Sequence, residues 1–262
     1  MKNKLPIIVS LTSIQSKLDR ASLTIQSILD QSVKADRVVL WLSEEAHLAD
    51  DGIQEIPNSL KELVDKGLEI RWTKNIGAYR KLIPTAKLMN HESCLIVTAA
   101  DDVLYPSNWL RGLKEEYYKN EGCVICYQGR IMDKAASWSK WTAGKKLKPY
   151  QQWIKTNEVT DKSKLGPNIE LFPDGKGGVL YPSDRLHEEI FNKSVYLKMA
   201  PTDEDIWFKT ITMMTDTKVK CIENTYNLPE TEQTINSRFF GLLKSDSNDQ
   251  LIHQLLERYQ LI

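Results

Sequence analysis

From Ser93 to Pro106 the chain reads Ser-Cys-Leu-Ile-Val-Thr-Ala-Ala-Asp-Asp-Val-Leu-Tyr-Pro, an apolar, β-branched run that stops at two adjacent carboxylates, Asp101 and Asp102. Such a run reads as a central strand buried on both faces, which requires a helix-covered, mostly parallel sheet. Open α/β sheets bind ligands beyond the carboxyl ends of their strands. Acids placed there are costly unless a cation or hydrogen-bond donors compensate them, which points to a metal-assisted site. A strand followed by a polar turn is equally consistent, because Asp is an ordinary turn residue.

The preceding residues carry the same rhythm. Ile7–Leu11, Arg37–Leu42, Leu68–Trp72 and Cys94–Ala99 read as strands. Between them lie helical stretches: one capped by Asp19, one over Leu60–Lys66 stopped by Gly67, and one over Tyr79–Met89 with Pro84 near its start. Successive β-α units imply a largely parallel sheet. The first strand is not followed by Gly-x-Gly-x-x-Gly, and the chain has neither a Walker loop nor a Gly-x-Ser-x-Gly elbow.

With 262 residues, 35 basic and 35 acidic side chains, the chain can bury a substantial core and carries no net charge to coat nucleic acid. No apolar run approaches the ~20 residues of a membrane helix. The opening Met-Lys-Asn-Lys-Leu-Pro-Ile-Ile-Val-Ser-Leu is read as the first strand of a cytoplasmic protein rather than a leader. Cys123 and Cys126 form a Cys-x-x-Cys, but strand alternation would face them apart, so buried reduced thiols are expected. His47, His91, His187 and His253 show no ligand spacing.

Beyond Pro106 the texture changes. Ser107 is expected to cap a helix reaching Tyr118, Cys123–Gln128 and Val179–Tyr181 read as strands, and Asp249–Leu261 as an amphipathic helix. Residues 134–155 combine Trp138, Trp141, Tyr150 and Trp153 with six lysines and no acid. That is either a solvated loop with lysine stems over aromatic rings, or an arm for an anionic partner or membrane surface. Pro173-Asp174-Gly175-Lys176-Gly177-Gly178 is a plain turn or a place of close backbone approach. Pro201-Thr202-Asp203-Glu204-Asp205-Ile206-Trp207-Phe208 looks like a capping box, yet has three acids where capping needs one or two. A carboxylate held there by the apolar residues behind it suits proton abstraction from a hydroxyl.

Together Ile-Val-Ser-Leu-Thr-Ser, Arg-Val-Val-Leu-Trp-Leu, Tyr-Arg-Lys-Leu-Ile-Pro, Thr-Ala-Ala-Asp-Asp-Val-Leu-Tyr-Pro, Gly-Gly-Val-Leu-Tyr-Pro and Pro-Thr-Asp-Glu-Asp-Ile-Trp-Phe resemble bacterial GT-A-fold, family-2-like glycosyltransferases of capsular and other surface polysaccharides. The resemblance runs in order from Ile7 to Phe208. It implies one α/β domain over 1–262, with a Rossmann-type nucleotide-sugar-binding half (1–106), an acceptor-side half (107–262) and a mixed, mostly parallel central sheet. It further implies Asp102 as ligand of Mn²⁺ or Mg²⁺ and Asp205 as catalytic base with Glu204 as fallback. Ser10, Thr12, Tyr79, Arg80, Lys81 and Asp101 would lie around the donor, a UDP-sugar, with Gly177 and Gly178 beside the acceptor. The acceptor would be a glycan or lipid-linked glycan, met at the inner face of the membrane with peripheral contact through 134–155, and no nucleic acid. Ala100 departs from the family pattern by replacing the first acid of Asp-x-Asp. Alternation would set positions 100 and 102 on one side and 101 on the other. A non-catalytic relative that binds nucleotide sugar or glycan is therefore one rival. A sugar nucleotidyltransferase is another, although Ser13-Ile14-Gln15-Ser16-Lys17 lacks the glycine-rich loop expected of it.

Overall fold

The computed structural model describes residues 4–48, 50–89, 92–133, 147–223 and 245–261. Its frame is a seven-stranded sheet built from β1 (Ile7–Thr12), β2 (Arg37–Leu42), β3 (Leu68–Trp72), β4 (Leu95–Thr98), β5 (Val124–Cys126), β9 (Val179–Pro182) and β10 (Val219–Cys221). The strand order is β10-β5-β9-β4-β1-β2-β3. All neighbours are parallel except β9, which runs antiparallel to both β4 and β5. A small antiparallel sheet of β6 (Gly129–Ile131), β7 (Ile154–Lys155) and β8 (Leu171–Pro173) stands beside it.

Alternation along the strands sorts side chains onto two faces. Val9, Leu11, Val38, Leu40 and Val97 pack under α1 (Leu18–Leu29), α2 (Asn58–Val64) and α4 (Trp109–Lys119). Ile8, Val39, Trp41 and Ile96 pack under α3 (Ile83–Leu88), α5 (Lys193–Met199), α6 (Glu204–Met213) and the C-terminal α7 (Ser245–Arg258). Each fully buried Leu or Ile in these layers contributes roughly 2 kcal/mol by transfer from water. Cys123 and Cys126 fall to opposite faces, and all four cysteines are free. Cys126 instead sits beside Cys221 in the register of β5 and β10.

Several local expectations shift. Asp19 lies inside the first turn of α1 and Ser107 precedes Asn108 at the start of α4; neither helix has a side-chain cap hydrogen bond. The helix expected over Tyr79–Met89 is split into a 3₁₀ segment, Gly77–Lys81, and α3, with Pro84 in the first turn of the latter. Proline lacks the N–H that a continuous helix would use there. Of the stretch 134–155, residues up to 146, with Trp138 and Trp141, lie outside the described residues, as does His91. In the remainder Leu147 and Trp153 are buried, the Trp153 indole donates to the Lys148 carbonyl, and Lys148 pairs with Asp133, while Gln151, Gln152, Ile154 and Lys155 are exposed. No helix among the described residues is long and apolar enough to cross a membrane.

Candidate active site

Because β9 runs against β4, its first residues arrive at the sheet edge where β1 and β4 end. That reversal brings three loops together: Ser13–Lys17 after β1, Ala99–Asn108 after β4, and Asp174–Gly178 before β9.

The acidic turn leaves the sheet after Thr98, so the alternation expected over residues 100–102 does not apply. Both carboxylates face one cation, with Lys17 Nζ at 3.7 Å from Asp101 and 4.0 Å from Asp102. The Ser13 hydroxyl also donates to Asp101 at 2.7 Å. Burial pushes the Asp101 carboxyl above its ordinary range, while Lys17 and Ser13 oppose that rise. Tyr105 ties the turn down: its hydroxyl accepts the Ala100 N–H at 2.9 Å and donates to the Lys176 carbonyl at 3.1 Å. Its ring stacks on Trp109 with centroids 4.1 Å apart, and the Trp109 indole donates to the Gly177 carbonyl at 2.9 Å. Gly178 has φ of +84°, and a Cβ there would lie 2.4 Å from the Trp109 ring, so only glycine fits.

The second acidic group stands at the start of α6. The capping box expected from Thr202 does not form: Asp203 occupies the cap without a side-chain hydrogen bond to the helix, and the Thr202 hydroxyl donates to Asp203 instead. The other two acids converge on Lys81, whose ammonium lies 2.8 Å from Glu204 and 3.3 Å from Asp205. Asp205 Oδ2 also accepts the Gly175 N–H at 2.9 Å. Ile206, Trp207 and Phe208 are buried behind this turn and fix its position. Burial raises the Asp205 carboxyl to about 6, with Glu204 and Asp174 adding to the rise and Lys81 and the Gly175 N–H opposing it. A cavity of about 240 Å³ opens alongside, lined by Asp174, Asp203, Glu204 and Asp205 with Tyr150 and Phe172.

The loop Gly175–Gly178 therefore touches both acidic groups: Lys176 and Gly177 hold the Asp101–Asp102 turn through Tyr105 and Trp109, and Gly175 holds Asp205. Burial chiefly raises the Tyr105 hydroxyl, with the Ala100 N–H and Lys81 opposing the rise and Asp102 and Asp101 adding to it. The loop with Gly177 and Gly178 thus links the Asp101–Asp102 turn to Lys81, Glu204 and Asp205, and the cavity beside it is lined by the second acidic group.

The remaining expected donor residues make contacts within the fold. The Ser10 hydroxyl is fully buried against Thr85 Oγ1 at 2.7 Å, and Thr12 Oγ1 donates to the Trp41 carbonyl at 2.7 Å. The Tyr79 hydroxyl donates to the Ala200 carbonyl, and its ring lies 4.4 Å from Tyr196. Arg80 pairs with Asp50 at 2.9 Å in a bridge whose side chains are 1% and 8% exposed. Burial lowers its guanidinium, Asp50 opposes that, and its Nη1 is buried with no hydrogen-bond partner. Of the two cations expected to meet a diphosphate, Arg80 is thus held by Asp50 and Lys81 by Glu204 and Asp205.

Sequence reading missed Ser13, Lys17, Asp50, Tyr105 and Trp109. The glycine cluster was the available signal for the bridging loop; the partners of the acids lie 88 and 124 residues away in sequence and leave no local mark.

A divalent cation has a limited protein donor set here. No group of three metal-ligating side chains exists among the described residues. Ala100 supplies no carboxylate, Ser13 and Lys17 engage Asp101, and Lys17 also lies 4.0 Å from Asp102, so a cation at this turn would compete with the Lys17 ammonium. In magnesium-type binding one or two carboxylates share the ion with substrate phosphates and water.

No protein-family model matches the chain, and no curated protein matches its sequence. Solved structures do. The crystal structure of a 4-diphosphocytidyl-2C-methyl-D-erythritol synthase aligns with a TM-score of 0.53 at 12% identity, covering 92% of this chain and 98% of that one. The synthase of the same name from Anaerococcus prevotii DSM 20548 aligns with a TM-score of 0.52 at 13% identity, covering 92% of this chain and all of the other, 100%. At this identity the likeness establishes the fold: an α/β, Rossmann-like sheet shared with these synthases.

Proposed function

We propose that this protein is a glycosyltransferase that moves a sugar from a nucleotide-diphosphate donor, a UDP-sugar, to a carbohydrate hydroxyl on a glycan or lipid-linked glycan. The observation that carries the reading is the Gly175–Gly178 loop, which ties the Asp101–Asp102 turn, through Tyr105 and Trp109, to the Asp205 carboxylate. With its carboxyl at about 6, Asp205 is mostly ionised at pH 7 yet basic enough to accept a proton in the transition state. Lys81 and the Gly175 N–H hold that carboxylate in one orientation. Mn²⁺ or Mg²⁺ held by Asp102 would supply Lewis-acid stabilisation of the departing diphosphate. Lys17, from the segment after β1, places its ammonium 3.7 and 4.0 Å from the two carboxylates of the Asp101–Asp102 turn. Direct attack by a hydroxyl deprotonated by Asp205 inverts the anomeric carbon. Tyr150 and Phe172 offer aromatic walls to an acceptor in the adjoining cavity.

The test is incubation with a panel of nucleotide sugars, glycan acceptors and Mn²⁺, read as release of nucleoside diphosphate. Release at the parent level by an Asp102→Ala, Asp205→Ala double variant removes both residues from the mechanism. Saturable binding of a donor with no turnover on any acceptor favours the non-catalytic reading that Ala100 motivates.

A second enzymatic reading, nucleotidyl transfer, is favoured by the fold shared with synthases named for a diphosphocytidyl product. It predicts pyrophosphate release from a nucleoside triphosphate in the presence of a phosphorylated acceptor. Against it stands the loop after β1, which has no glycine and is wound into a 3₁₀ turn, Gln15–Lys17. Close backbone approach to a triphosphate favours glycine at such a turn.

A further inference from the structure

Away from the acids, a groove of about 430 Å³ runs between α3 and α5 past the end of β3. Its floor is apolar, with Trp41, Ile83 and Leu88 among its lining, and Lys74, Lys87 and Lys193 stand around it. No carboxylate lines it. In a chain with 35 basic and 35 acidic side chains, three lysines around a groove without a carboxylate are a local excess, with Lys87 shared with the neighbouring cavity that Glu92, Asp184 and Glu188 line. All three are exposed, and neither Lys74 nor Lys193 forms an ion pair with a described residue. Lys87 extends over the Phe191 ring, 5.4 Å from its centroid. The groove shares no lining residue with the acidic cavity.

The volume falls in the range of small-molecule sites, and a small polar head set against an apolar floor is their usual chemistry. Lysines bind phosphate as point charges. Three of them suit a dianionic head better than a carboxylate, and the apolar floor between them suits a hydrocarbon body. We propose that this groove binds a single-chain organic phosphate, a phosphate monoester of an apolar alcohol, as a monomer. Its head sits among Lys74, Lys87 and Lys193 and its chain lies over Trp41, Ile83 and Leu88. Tyr196, which lines the groove, packs on Tyr79.

Isothermal titration of the purified full chain with hexyl, octyl and decyl phosphate, each below its micelle-forming concentration, tests this directly. One-to-one saturable binding is expected, tightening roughly threefold or more for each added pair of methylenes. Lys74→Glu, Lys193→Glu together should weaken octyl phosphate about tenfold or more. Both positions are exposed, so an unchanged melting curve will show that the fold survives. Neutral octyl glucoside should not bind. Affinity independent of chain length, or inorganic phosphate binding as tightly as the esters, reduces the groove to a simple anion site and overturns the proposal. So does binding only to phosphatidylglycerol vesicles, which would make it a membrane-facing surface, or binding unchanged by the double reversal.

Discussion

Replacing Lys81 with Met isolates the electrostatics of the site without requiring its substrate to be known. The ammonium lies 2.8 Å from Glu204 and 3.3 Å from Asp205, and the three side chains are 10%, 17% and 29% exposed. At an effective dielectric constant of about 20, each contact is a gross attraction of roughly 5–6 kcal/mol, most of it offset by lost hydration. Met fills nearly the same space but leaves two crowded carboxylates with no cation. Breaking a buried pair in this way costs about 3–5 kcal/mol, and the partial exposure here places the expected loss near 3 kcal/mol at pH 8. The Asp205 carboxyl already lies at about 6 in the folded protein, above its ordinary 3.8. A raised acid destabilises the fold when ionised, so that penalty is fully present above pH 6 and fades as pH falls toward 4. Losing Lys81 raises the carboxyl further, so the difference between variant and parent should shrink to about half by pH 5. Urea unfolding of both proteins between pH 5 and 8 measures this. A difference below 1 kcal/mol, or one independent of pH, refutes the proposition that Lys81 compensates the pair.

Asp205→Asn should lower turnover about 10²- to 10⁴-fold and abolish an acid limb near pH 6 in kcat/KM, measured as nucleoside diphosphate release. Asp50→Ala leaves the Arg80 guanidinium buried without its partner and should destabilise the fold by about 3–5 kcal/mol in denaturant titration. Gly178→Ala drives a Cβ to 2.4 Å from Trp109 at a left-handed φ. A loss of about 3 kcal/mol and a Tm lower by roughly 6–10 °C are expected by calorimetry.

How much of this was legible differs between fold and site. The strands Arg37–Leu42 and Leu68–Trp72 have the residue bounds read from the sequence: the first is an apolar run buried on both faces, and the second, at the sheet edge, alternates Leu68, Ile70 and Trp72 with Glu69 and Arg71. Helix starts were less legible. Asp19 and Ser107 are good cap residues in isolation, but packing of Leu18 and Trp109 into the core set where α1 and α4 begin. Among the site residues, the acids and Lys81 were visible by type. Ser10 and Arg80 looked the same and turned out to be bound by Thr85 and Asp50.

The linear chain determined the class of architecture, since hydrophobic period and β-α succession act over a few residues at a time. It also determined the supply of carboxylates at a sheet edge and at a helix start. Which lysine meets which acid was decided only in three dimensions. The antiparallel entry of β9 carries Gly175–Gly178 between two acidic groups more than 100 residues apart in the chain. Coulomb energy depends on distance through space, and no period in the sequence encodes a separation set by strand order.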